Sequence, residues 1–186
     1  MGREPRGELL LAAASASIRI AIPTGCYMES FSAFEDEQRR RHWFRAELDK
    51  QIVQLKRDVT SANAATLLQR LEESRIANNQ LLNDLQARLF QIVGRAAGVI
   101  EQVPATLPVL RAAVSQMLID DPTDNLILHS IVDDARRYPA SQKVLLTDNT
   151  KDFATPEVQA VLSSVGIDQQ FRSVTNVLGW LGSLPR

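Results

Sequence analysis

The stretch Lys143-Val144-Leu145-Leu146-Thr147-Asp148-Asn149-Thr150-Lys151-Asp152-Phe153, read with Asp124-Asn125-Leu126-Ile127-Leu128 upstream, decides how this chain is interpreted. Val144 to Leu146 is a short apolar run that stops at once on Thr147, Asp148 and Asn149. Such a run reads as a buried parallel strand delivering polar groups to its carboxyl end, where open α/β sheets build their sites. Chemistry is therefore expected at Asp148 and Asn149, close to wherever Asp124 is brought.

Working outward, the last third alternates between helix and strand. Asp124 to about Tyr138 reads as a helix, Val144 to Thr147 as a strand, and Thr155 to Val165 as a helix with Pro156 in its first turn and Gly166 at its end. Phe171 to Val174 reads as a last short strand. Val177, Leu178 and Leu181 then belong to a terminal helix, with Trp180 covering the edge of the core. At the other end of the chain, Glu8 to Ala16 is rich in the helix formers Leu and Ala, and Ile18, Ile20 and Ile22 alternate with Arg19 and Ala21 as in a strand. Pro23-Thr24-Gly25 ends that strand. Thr24 is placed to cap a helix carrying Cys26, Met28 and Glu29.

Between these blocks the texture is long amphipathic helix, from about Phe34 to Val93. Phe44, Leu48, Ile52, Leu55 and Val59 recur at helical spacing, as do Leu81, Leu85, Leu89 and Ile92 beyond a break at Thr60-Ser61. This pattern predicts a helical hairpin whose two stripes face each other or the domain core. Arg75, Asn78 and Asn79 interrupt the second stripe and predict a polar waist or a frayed turn. Gly94 and Gly98 loosen the chain beyond Val93, and Pro104 and Pro108 delimit a connection before a helix over Val109 to Leu118.

Composition narrows the function. The 186 residues, 45% hydrophobic and 23% charged, suffice for one good core, so a single domain with an elaboration is expected. A net charge of −1 gives no general attraction to nucleic acid. Arg39-Arg40-Arg41-His42 follows Glu35, Asp36 and Glu37, and so reads as an ion-paired helix face rather than an RNA contact. Cys26 is the lone cysteine, which excludes an intrachain disulfide or a cysteine zinc cluster and fits the cytoplasm. His42 and His129 have no companion at metal-ligand spacing. Leu9 to Ala16 follows Glu4 and Glu8 and is too short to span a bilayer, so neither a signal peptide nor a membrane anchor is expected.

Three acidic or amide features remain: Glu29 after the Ile18–Ile22 strand, Asp124 opening a helix, and Asp148-Asn149 closing the Val144 strand. Carboxylates meeting at one end of a parallel sheet repel each other unless a hard cation neutralises them, and oxygen ligands select magnesium or manganese. Phosphodiester hydrolysis is the common use of such a cluster. Each feature also has a plain structural role: Glu29 as an acid near a helix start, Asp124 as an N-cap, and Asp148-Asn149 as a turn.

At these residues the chain resembles the PIN-domain family of metal-dependent ribonucleases, which includes the toxins of bacterial toxin-antitoxin pairs. Glu29, in Ile22-Pro23-Thr24-Gly25-Cys26-Tyr27-Met28-Glu29, is similar to the family's second acidic position. Asp124 in Asp-Asn-Leu-Ile-Leu is similar to the third, and Asn149 falls where the family places an Asp or Asn, with Asp148 and Asp152 alongside. The resemblance implies an α/β fold, a PIN-like parallel sheet flanked by helices, with an inserted helical hairpin over about 34–109. It further implies Glu29, Asp124 and Asn149 as catalytic residues that, with Asp148 and Asp152, hold Mg2+ or Mn2+. RNA is the implied substrate, and the implied partners are a protein such as an antitoxin or a second copy in a homodimer. The family opens with an apolar strand ending in Asp, which Met1 to Glu8 does not supply, so the implied site lacks its first acid. The alternative is a catalytically inactive PIN-like remnant, or a module whose hairpin binds a partner helix.

Overall fold

Prolines set three of the helix starts, because a first-turn residue needs no amide hydrogen and φ is already helical. Pro108, Pro122 and Pro156 each lie in the first turn of a helix. The structure, a computed structural model, describes residues 12, 18–57 and 60–183. Its elements run β1 (Ala21–Pro23), α1 (Thr24–Leu55), α2 (Ala62–Val99), β2 (Glu101–Val103), α3 (Leu107–Ser115), α4 (Pro122–Arg137), β3 (Lys143–Leu146), α5 (Thr150–Phe153), α6 (Pro156–Ser164), β4 (Ile167–Phe171) and α7 (Val174–Ser183). The helix expected over Glu8 to Ala16 lies, Ala12 apart, outside the described residues.

The expected α/β class, a PIN-like parallel sheet flanked by helices, is overturned. The strands are parallel, but they form two separate pairs, β1 with β2 and β3 with β4, in a chain that is mostly helix. The reason is in the strand lengths. β1 and β2 have 3 residues each and β3 has 4, and among the described residues no strand joins one pair to the other. The expected Ile18–Ile22 strand contracts to Ala21–Pro23. The last strand is Ile167–Phe171, not Phe171–Val174, which becomes the approach to α7.

The chain forms two compact units, Met1–Tyr27 with Ala96–Arg186, and Met28–Arg95. In the first, the core is built around α4, whose Ile127, Leu128, Val132 and Ala135 are buried with Ile119, Phe153, Val158, Leu162 and Ile167. Leu128, Val158 and Leu162 are fully inaccessible. The start of α1 comes so close to α4 that a Cβ at Gly25 would lie 2.7 Å from the Ile127 side chain, so only glycine fits without a shift. Thr24 does not cap α1 as expected. It is the helix's first residue, and its hydroxyl donates to the Val103 carbonyl at 3.0 Å, fixing α1 to β2. Arg19 binds both oxygens of Asp134 on α4 at 2.8 Å, reaches Glu101 at 2.6 Å, and lies over the Tyr138 ring at 4.0 Å. Its guanidinium is held still more firmly protonated by those two carboxylates.

One side chain closes the corner between α3 and α4. Asn125, 1% exposed, accepts from the amides of Leu118 at 3.0 Å and Ile119 at 3.3 Å, and donates to the carbonyls of Ala113 at 2.8 Å and Gln116 at 3.2 Å. His129 Nε2 meets the same Gln116 carbonyl at 2.9 Å. The backbone that leaves α3 thus finds its partners in side chains of α4.

In the second unit α1 and α2 pack as the expected hairpin, reversing between Leu55 and Ala62. Leu48, Ile52, Ala64 and Leu89 are buried, whereas Phe44, Leu81 and Ile92, expected in the seam, are exposed. Val59 is outside the described residues. The polar waist exists and the helix does not fray: Arg75 reaches Asp49 at 3.3 Å, and Asn78 Nδ2 donates to the Arg41 carbonyl at 3.2 Å. Asn78 is 5% exposed and its Oδ1 is buried without a hydrogen bond.

These two amides should respond oppositely to the same substitution. Asn78→Leu removes the stranded oxygen and adds apolar contact, so urea unfolding should give a gain of about 1–2 kcal/mol. A loss would mean that the bond to Arg41 outweighs the stranded oxygen. Asn125→Leu, of similar volume, strips two amides and two carbonyls of their partners and should cost about 3 kcal/mol in the same measurement.

Candidate functional site

The two helix starts that bear the candidate residues are fixed by different caps. At α4 the cap is Asp121, whose Oδ1 accepts from the amides of Thr123 at 2.8 Å and Asp124 at 3.1 Å. Asp124, expected to serve as that cap, stands three residues further in, and its carboxylate is left for another partner. At α5 the cap is Asn149, whose Oδ1 accepts from the Asp152 amide at 3.3 Å. The turn before it is held by Thr147, whose Oγ1 accepts from the Asn149 amide at 3.2 Å.

The two starts meet through one hydrogen bond. Asn149 Nδ2 donates to Asp124 Oδ2 at 2.9 Å, across 25 positions of sequence. Burial, then the charges of Asp121 and Asp152, push the Asp124 carboxyl above the usual carboxylate range, and the Asn149 amide only partly offsets them. Asp124 therefore lies within electrostatic reach of two other carboxylates, those of Asp121 and Asp152, and in contact with the Asn149 amide.

Of the residues singled out in the sequence, the structure brings together Asp124, Asn149 and Asp152. Asp148 is exposed and takes part through its backbone, its carbonyl accepting from the Thr150 amide at 2.9 Å. Glu29 is an exposed residue of α1 in the unit Met28–Arg95, whereas the cluster consists of residues of the first unit. Sequence reasoning misses Asp121. The signal is present in Asp121-Pro122-Thr123-Asp124, because a proline at the first helical position makes the residue before it the cap.

The donors are hard oxygens, the kind that suit magnesium or manganese. Among the described residues no three His, Cys, Asp or Glu side chains are grouped so that they could hold a metal ion. Magnesium is commonly held by one or two carboxylates with the remainder of its shell as water, and Asp124, with Asp152 close enough to act on its charge, offers oxygens of that kind. No helix among the described residues is long and apolar enough to cross a membrane.

Family models, curated proteins and solved structures were compared with this chain, and none matches.

The raised Asp124 carboxyl makes stability depend on pH. A carboxyl whose folded pKa lies above its unfolded value favours folding in its protonated form; that contribution is whole below the unfolded pKa and is lost as pH rises through the folded one. Asp124→Asn stays neutral throughout. Thermal melts should therefore show the variant gaining on the parent as pH rises upward from the ordinary aspartate pKa of about 3.9. A gap that moves the other way would mean that the positive start of α4 outweighs burial and the neighbouring acids.

Proposed function

We propose that Asp124 is the centre of a weak site for magnesium or manganese and that the chain belongs to the reaction class its sequence resemblance implies, hydrolysis of RNA phosphodiester bonds by PIN-domain ribonucleases. The observation that supports this reading is the state of Asp124. Its carboxylate is released from capping by Asp121, is oriented by Asn149 at 2.9 Å, and lies among other acids that a cation would offset. A half-buried carboxyl crowded by like charges is a group whose cost has to be recovered by some use, and functional sites are where such groups gather.

Asp124 and Asp152 would hold the cation. When bound, it supplies positive charge for a phosphate oxygen and makes water a better nucleophile. The chain's own groups do the rest: Asp121 keeps the amides at the start of α4 satisfied, Asn149 fixes the rotamer of Asp124, and Asp124 can take a proton from water once its carboxyl is ionised. Two carboxylates make a sparse ligand set, so cleavage by this chain is expected to be slow. A second reading, a hairpin that binds a protein partner, is favoured by the exposure of Trp43 at 70%, Phe90 at 56% and Ile92 at 58% on α1 and α2.

Melting the chain against increasing Mn2+ and Mg2+ tests the cation. At a concentration tenfold above its dissociation constant, bound metal stabilises by about 1.4 kcal/mol, a rise of roughly 3–5 °C for a chain of this size. Asp124→Ala should abolish the rise and Asp152→Asn should reduce it, while a single-stranded RNA incubated with the Mn2+-loaded chain should be cut slowly, and not at all by Asp124→Ala. Unchanged melting of the parent with both cations overturns the site. Rapid cleavage that survives Asp124→Ala overturns the role given to Asp124.

A further inference from the structure

We draw no further inference here: the strongest candidate, the exposed apolar stripe of Leu107, Leu110, Val114 and Met117 along and just beyond α3, is an unpartnered helix face, and nothing in the structure shows what covers it.

Discussion

The Asn125 carboxamide is the constraint on which the candidate site depends. The chain between α3 and α4 turns inward, placing Ile119 at 4% exposure in the core, and so carries backbone amides and carbonyls away from water. A buried polar group without a partner costs about 1–3 kcal/mol, and a turn of this kind would carry several. Only a side chain with both donors and acceptors can serve both ends of the turn, and Asn125 gives its oxygen to Leu118 and Ile119 and its nitrogen to Ala113 and Gln116. Its position in the first turn of α4 means that the same residue that closes the corner also fixes where α4 starts. Asp121 and Asp124 flank it on that turn, and their placement is set with it.

Charge is used differently in the two units. Along the hairpin, ion pairs such as Arg40–Glu37 and Arg41–Glu37 link neighbouring turns of one exposed helix. Such exposed pairs contribute little to stability and are screened by salt. They pair the Arg39-Arg40-Arg41 run with Asp36 and Glu37, with Glu37 shared between Arg40 and Arg41. In the first unit, Arg19 instead spans segments more than 80 positions apart, reaching Glu101 and Asp134, the latter nearly buried. Its planar fork matches the Asp134 carboxylate with two bonds while its face rests on Tyr138. This contact holds β1, β2 and α4 in one arrangement, which short strands with so few ladder bonds do not secure by themselves.

An element is legible in the sequence to the extent that its signals are local. The hairpin, the helix after Thr155 and the helix before Tyr138 are legible because apolar period, first-turn prolines and capping residues all lie within a few positions of each other. The strand at Val144 is legible as a strand but not as a member of any particular sheet, since its partner lies in Ile167–Phe171 and pairing is a long-range choice. That partner is hidden by Asp168, Gln169 and Gln170, which carry no apolar alternation. Gly166, at φ 80°, reads as a helix stop but also turns the chain directly into the strand. Glu101-Gln102-Val103 has no strand pattern at all, and it is placed by pairing with β1 and by the Thr24 hydroxyl. A family resemblance carried by a few acidic and amide residues thus leads to a sheet whose strands are too short and too separate to form it.

The site itself turns on a distinction that a sequence motif treats as neutral, that between Asn and Asp at position 149. An aspartate there could cap α5 as well as Asn149 does, since capping needs only an acceptor. It could not donate to Asp124. A carboxylate in place of the amide nitrogen would set two negative oxygens at hydrogen-bond distance, and one would have to take a proton or share a cation. Asn149 avoids both requirements by holding an acceptor toward the Asp152 amide and a donor toward Asp124. The amide therefore needs neither, where an aspartate would need one or the other.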